Sequence, residues 1–276
     1  MQVGFVGLGM MGAPIARRLA KCGYDVIGCD VSPQMLAAFD EPGTQREADP
    51  LICASRSDVL GVCVRTDEQL ESLCGDGTLF AALGEGGLFI LNSTVAPGLA
   101  RSLAATAKAA GLDFVDVGVS GGGPAADKGD LSLWVGGEDA AVARAMPLLE
   151  TLGKTISHLG PVGRGMEGKL LNNLVSIANY GMSAAILDLG DGLQFDRAQL
   201  SEALMAGSAQ SFALRAAPGM IRPYPGAPPG YLDGLHDLLK KDVDLARQLA
   251  PASDPAMAAL LASCEAMLAR IKRAAG

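Results

Sequence analysis

The 276-residue chain is predicted to be an α/β protein, a doubly wound sheet followed by a long interdomain helix and an all-α C-terminal domain. Three observations carry that prediction. Short β-branched runs alternate with amphipathic stretches as far as about residue 160, the pattern of strands joined by crossover helices. A glycine-rich turn, Gly7-Leu8-Gly9-Met10-Met11-Gly12, stands directly between the first such run and an Ala-rich helix. After Gly163 no strand pattern recurs, and an apolar Ala/Leu-rich stretch without proline runs from residue 166 to about 190. The expected domains are 1–161 for the sheet and 162–276 for the helical part.

In chain order, strands are expected at residues 3–6, 26–29, 59–64, 88–91, 114–117, 131–135 and 155–158, all in a parallel sheet. The intervening helices fall at 13–22, 33–39, 68–73, 97–110 and 140–152, with Gly23, Gly111 and Gly153 as C-caps. The stretch from 166 is too apolar to be solvated all round, so it is expected to be buried between elements or subunits. Its small residues Ala178, Gly181, Ala184 and Ala185 would let another helix approach closely. Shorter helices follow at 197–205, 208–216, 234–250 and 254–272. Residues 218–230 hold five prolines and three glycines and form a loop.

Composition narrows the function. A formal charge of −8 disfavours nucleic acid or an anionic membrane as partner, because both need clustered Lys and Arg. The N-terminus enters its first strand without a secretory signal, and no apolar run is read as reaching membrane-spanning length, so a cytoplasmic protein is expected. The six cysteines include no C-x-x-C pair and are read as reduced, structural thiols. With only His158 and His236 as imidazoles, no metal site is expected.

Each residue of the glycine-rich turn has a physical use. Gly7 permits the tight turn, Gly9 lets backbone approach a pyrophosphate and Gly12 allows close packing of helix on sheet. Leu8, Met10 and Met11 supply backbone at the helix N-terminus. Asp30 ends the second strand, where a carboxylate accepts hydrogen bonds from ribose hydroxyls and repels a 2′-phosphate. No arginine follows at Val31, Ser32 or Pro33, so NAD is expected in preference to NADP. Val64-Arg65-Thr66 and Asn92-Ser93-Thr94 follow two later strands at the edge where such sheets bind ligands. Further on, Gly163 to Asn173 sets Lys169 among glycines. In a helix Asn173 falls four residues beyond the lysine, on one face with it.

The ordered set Gly4 to Pro14, Asp116-Val117-Gly118-Val119-Ser120-Gly121-Gly122 with Gly129-Asp130-Leu131, Gly165 to Asn173, and Lys241-Asp242-Val243-Asp244-Leu245-Ala246 resembles the β-hydroxyacid dehydrogenase family, the group of 3-hydroxyisobutyrate dehydrogenase and tartronate semialdehyde reductase. The resemblance covers nearly the whole chain. It implies a Rossmann domain, a long interdomain helix and an all-helical second domain. It further implies reversible oxidation of a small 3-hydroxy acid with a nicotinamide cofactor and no metal.

By the same resemblance, Lys169 is the general acid/base and Asn173 a substrate-holding amide. Ser120, Gly121 and Gly122 grip the substrate carboxylate. Gly7, Leu8, Gly9, Met10, Met11, Gly12, Asp30, Val64, Arg65, Thr66, Thr94 and Lys241 attend the cofactor, with Lys240 an alternative to Lys241. A homodimer or homotetramer joined through the helical part is expected. Departures from the family pattern include Val117-Gly118 in place of Ala-Pro, Gly123-Pro124 after the serine-glycine motif, and Ala185 where a glutamate is common. They predict an altered pocket rim, with Arg222 as a candidate extra anion contact. Two other readings stay open: an imine reductase, whose relatives usually lack the lysine, and a non-catalytic dinucleotide-binding scaffold.

Overall fold

In a computed structural model of the chain, residues 1–220, 230–249 and 254–276 are described. Residues 221–229 of the expected loop, Arg222 among them, fall outside them, whereas Pro218 to Met220, expected to open that loop, end a helix instead. The chain divides into two compact units, Met1–Lys169 and Leu170–Gly276.

The first unit runs β1 (Gln2–Val6), α1 (Gly12–Lys21), β2 (Asp25–Cys29), α2 (Pro33–Ala38), β3 (Gln45–Glu47), α3 (Pro50–Ser55), β4 (Val59–Val62), α4 (Asp67–Cys74) and α5 (Thr78–Leu83). It continues through β5 (Leu88–Leu91), α6 (Pro97–Ala109), β6 (Asp113–Ser120), α7 (Gly122–Lys128), β7 (Leu131–Gly137), α8 (Asp139–Leu152) and β8 (Gly153–Gly160). Among the described residues the strands form one sheet in the order β3-β2-β1-β4-β5-β6-β7-β8, a Rossmann-type arrangement. The order reverses between β1 and β4, and such a reversal opens a crevice beyond the strand ends.

The expectation of a wholly parallel sheet is corrected at one pair. β6 and β7 are antiparallel, with Gly118 opposite Trp134. The segment from Gly121 to Asp130 is shorter than the dozen or so residues a parallel crossover needs, so the chain turns back through α7. The elements β3, α3, α5 and α7 are additional to those read from sequence. β3 has the polar sequence Gln45-Arg46-Glu47 at the sheet edge, and the three helices are too short to show a period. Gly23 and Gly111 have the positive φ of helix-terminating glycines. Gly153 is extended and begins β8; a Cβ there would run into the Leu131 carbonyl of β7.

Alternation along the strands fills two cores, one on each face of the sheet. Val115, Val117 and Val119 of β6 join Phe5, Ile15, Leu19, Leu148 and Leu152 under α1 and α8. On the opposite face, Ile27, Leu60 and Phe89 pack with Cys53, Phe80 and Leu103 under α3, α5 and α6. The thiols Cys29, Cys53 and Cys74 are buried within this second core.

The second unit takes the remainder of α9 (Arg164–Gly192), then α10 (Arg197–Ala206), α11 (Phe212–Met220), α12 (Tyr231–Arg247) and α13 (Pro255–Ala275). α9 is long and apolar enough to cross a membrane by length and composition, contrary to the sequence reading. Of its most apolar window, 44% is buried against its own chain. α13 lies directly on it. Ser263 Oγ donates to the Ala178 carbonyl at 3.0 Å, and a Cβ at Gly181 would come within 2.5 Å of the Ser263 carbonyl. The small residues Ala178 and Gly181 therefore serve packing within the chain. The other face of α9 is apolar and exposed, through Leu171, Val175, Met182, Ile186 and Leu189.

Candidate active site

The glycine turn is built as its spacing requires. Gly7 has φ +93°, and a Cβ there would strike the Cys63 carbonyl beyond β4. At Gly12 it would strike the Gly7 carbonyl and lie 3.0 Å from the Phe5 ring. Gly9 differs: no atom lies within 4 Å of where its Cβ would be, so the turn leaves open space at that residue. Met10 is exposed and Met11 is the N-cap of α1, with Ala13 N–H donating to the Gly9 carbonyl at 3.1 Å. An open position at the N-terminus of a helix fits a pyrophosphate.

Asp30 is joined to the turn. Its Oδ2 accepts from Leu8 N–H at 2.8 Å and its Oδ1 from Ser32 N–H at 2.8 Å. The carboxylate thus ties the end of β2 to the glycine turn. The two later loops are tied in the same way. Val64 N–H donates to Ser93 Oγ at 2.8 Å, and Ala96 N–H to Asp67 Oδ2 at 3.1 Å. Thr66 has a structural use, since its hydroxyl accepts from Gln69 N–H at 3.2 Å and caps α4. Arg65 is exposed, and Thr94 is half-buried just past β5.

The serine-glycine motif is an ordered turn into α7. Gly121 and Gly122 have φ +133° and +73°, a conformation that L side chains rarely adopt. The turn meets the cofactor side directly, because a Cβ at Gly123 would lie 3.1 Å from the Met10 carbonyl and 3.4 Å from Pro14 Cγ. Arg17 of α1 and Asp127 of α7 pair at 3.3 Å and hold the two helices together. The pocket rim expected at Gly123-Pro124 is therefore the first turn of a helix seated on the glycine turn.

Lys169 lies over β6. A Cβ at Gly118 would fall 2.5 Å from Lys169 Cβ and 3.3 Å from its Cγ. Upstream, Asp116 is fully buried, accepting from Gly163 N–H at 2.7 Å and Met166 N–H at 2.8 Å, so its carboxylate caps the N-terminus of α9. Burial pushes the Asp116 carboxyl above the ordinary carboxylate range, opposed by those two donors. In the sequence Asp116 figures only as a member of the motif that carries the family resemblance, with no role of its own. A lone acid inside the β-branched run Phe114-Val115-Asp116-Val117 was the available signal.

In the second unit, Asn173 Nδ2 donates to Asp242 Oδ2 at 2.6 Å, and Asn173 Oδ1 accepts from Asn172 Nδ2 at 3.1 Å. Both ends of the Asn173 amide are thereby oriented. Asp242, another buried acid, which figures in the sequence only as a motif member without a role, also lies 3.3 Å from Lys241 Nζ. Lys240 is more exposed and pairs with Asp244 at 2.5 Å on the solvated face of α12. Of the two candidate lysines, Lys241 is the one held beside Asn173's partner.

A doubly wound sheet carrying this turn at its reversal point defines a dinucleotide-dependent oxidoreductase of the Rossmann class, using NAD(P). Residues 2–160 match the family model described as the NAD binding domain of 6-phosphogluconate dehydrogenase. The chain belongs to the β-hydroxyacid dehydrogenase family, in its 3-hydroxyisobutyrate dehydrogenase-like branch. It is 36% identical over 252 residues to 3-hydroxyisobutyrate dehydrogenase of Pseudomonas aeruginosa, covering 88% of this chain and 83% of that protein. It is 33% identical to NAD-dependent L-serine dehydrogenase of the same organism, covering 91% and 86%. The solved Mycobacterium tuberculosis 3-hydroxyisobutyrate dehydrogenase with L-serine superposes with a TM-score of 0.80 at 25% identity, over 99% of this chain and 98% of that one.

Proposed function

We propose that the protein is an NAD-dependent dehydrogenase that interconverts a small 3-hydroxy acid and its semialdehyde, with Lys169 as general acid/base. The observation that carries the reading is the seating of Lys169 on β6 at Gly118, two residues before Ser120 on the same face of the strand. The relatives' names supply the substrate class, since 3-hydroxyisobutyrate and L-serine are both 3-hydroxy acids.

Gly7, Gly9, Gly12 and Asp30 would hold NAD, which supplies the hydride acceptor when bound. Asp30 selects NAD because its carboxylate would face a 2′-phosphate with like charge. Ser120 would receive the substrate carboxylate through its hydroxyl, and Gly121 and Gly122 through their N–H groups. In the oxidative direction the Lys169 amine takes the hydroxyl proton as hydride leaves the carbinol carbon. In reduction its ammonium returns that proton to the carbonyl oxygen. Asn173, one turn further along α9 and oriented by Asp242, holds the substrate without adding charge. Val64, Arg65, Thr66 and Thr94 border the cofactor, and Lys241 is assigned to it by family resemblance.

Lys169→Ala tests the reading. It should lower kcat by about two to four orders of magnitude while NAD affinity is retained. Activity within a few-fold of wild type refutes it. Assays with 3-hydroxyisobutyrate, glycerate, L-serine and a sulfonate analogue test the altered rim, whose prediction is that 3-hydroxyisobutyrate is not preferred.

The exposed side of α9 supports a homo-oligomer. At 3.6 residues per turn, Leu171, Val175, Met182, Ile186 and Leu189 fall within an arc of about 60°. A continuous seam of that kind suits a second copy of the chain, in the manner of paired helices.

A further inference from the structure

We infer that Gly118, with Asp116 beside it, is a positioning residue that sets where Lys169 stands; the inference rests on Lys169 being the acid/base. β6 presents alternate residues to each face of the sheet, and Val115, Val117 and Val119 point into the core under α1 and α8. The other face carries Asp116, Gly118 and Ser120 in succession. Each meets a different requirement of the site: a cap for α9, a seat for the lysine and a hydroxyl for the substrate.

The seat is sterically closed. A single methyl at Gly118 would lie 2.5 Å from Lys169 Cβ and 2.9 Å from the Gly165 carbonyl, both closer than real Cβ atoms approach. Gly118 lies within β6 and outside the positive-φ region, so the backbone does not demand glycine there. The demand comes from how closely α9 lies on the strand in this chain, since the family pattern sets proline, which carries a Cβ, at the same position. The helix adds its own glycines to the approach. A Cβ at Gly165 would fall 2.7 Å from the Trp134 carbonyl, and one at Gly168 would fall 2.5 Å from Leu159 Cδ1. Glycine inside a helix costs about 1 kcal/mol relative to alanine, so two of them in the first turns mark a contact that must be close.

Asp116 supplies the second constraint. Its two oxygens hold Gly163 N–H and Met166 N–H, which lack partners within the helix. Lateral approach is set at Gly118 and the axial position of the helix end at Asp116. Together they fix the root of the Lys169 side chain.

A double-mutant cycle on the full-length protein tests the inference, with the hydroxy acid oxidised fastest by NAD as substrate. Gly118→Ala should lower kcat about 10- to 100-fold, the scale of an ångström-sized misplacement. NAD affinity should be unchanged, KM for the hydroxy acid should move less than about threefold, and the basic limb of the pH–kcat profile should shift. In a Lys169→Ala background the same substitution should lower kcat less than about twofold, because residues acting as one unit are not additive. Asp116→Asn, near in size and with one acceptor kept, is the second variant should Gly118→Ala not fold. It should shift kcat and the pH profile in the same direction and show the same non-additivity. If Lys169→Ala is inactive while both other variants retain full kcat, the positioning role fails and the acid/base reading stands. An equal loss in both backgrounds means Gly118 acts independently of the lysine and overturns the inference. A fully active Lys169→Ala overturns the acid/base reading, and the inference with it.

Discussion

Gly9→Ala separates cofactor binding from folding at a single methyl group. No heavy atom lies within 4 Å of the position the new Cβ would take, and Gly9 is not among the glycines of positive φ. Folding therefore incurs no steric cost. Loss of glycine's freedom in the unfolded chain should stabilise the protein by about 0.4–1 kcal/mol, raising Tm by roughly 1–4 °C for a chain of this size. The same methyl enters the open space over the α1 N-terminus where a pyrophosphate would be received. A tenfold loss of affinity corresponds to about 1.4 kcal/mol, and we expect NAD binding to weaken by at least about that factor. Gly12→Ala is the contrast. Its Cβ runs into the Gly7 carbonyl and the Phe5 ring, an overlap expected to cost about 1–3 kcal/mol of stability. Thermal melts of the ligand-free proteins and calorimetric titration with NAD measure both quantities. Unchanged NAD affinity in Gly9→Ala would refute the assignment of that space to the cofactor, and a drop in Tm matching Gly12→Ala would refute its being open.

Three further outcomes follow from particular contacts. Replacing Asp30 by Ala together with Val31→Arg should move the kcat/KM ratio of NADP to NAD by roughly tenfold or more, the worth of a hydrogen bond to a charged group. It should also raise KM for both cofactors, because Leu8 and Ser32 lose their acceptor; steady-state kinetics with the two cofactors decide it. Charging the α9 seam with Ile186→Glu and Leu189→Lys should halve the assembly mass in light scattering with the helical circular dichroism retained, whereas an unchanged mass places the interface elsewhere. Hydrogen bonding from Arg270, then from Arg197, holds the Asp188 carboxyl below its ordinary value of 3.8 despite partial burial. A lowered folded-state pKa stabilises the fold above pH 3.8, and that contribution is lost as pH falls through the folded value. Wild type should thus lose more Tm between pH 5 and pH 3 than Asp188→Asn, and parallel melting curves would contradict it.

The doubly wound sheet, the glycine turn and the helical second half were legible in the sequence because each rests on local chemistry: a two-residue or 3.6-residue period, and glycines at fixed offsets beside a strand. Gly7 and Gly12 stand where their spacing requires, and α9 covers the stretch expected to be helical. The reversal of β7 was not visible, since a β-branched strand carries the same pattern in either direction and only the short Gly121–Asp130 return decides its sense. Asp116 and Asp242 figure in the sequence only as motif members; packing removed their water and placed backbone or amide donors on their oxygens. Gly118 looked like a departure in a loop motif. Its contact with Lys169 joins residues more than fifty positions apart, and no local pattern records which backbone a distant helix will lie against. The sequence by itself determined the elements and the chemical groups available to them. Tertiary packing alone decided which groups are buried, which are paired and which glycine leaves room for the lysine, because those depend on contacts between segments that the chain brings together only on folding.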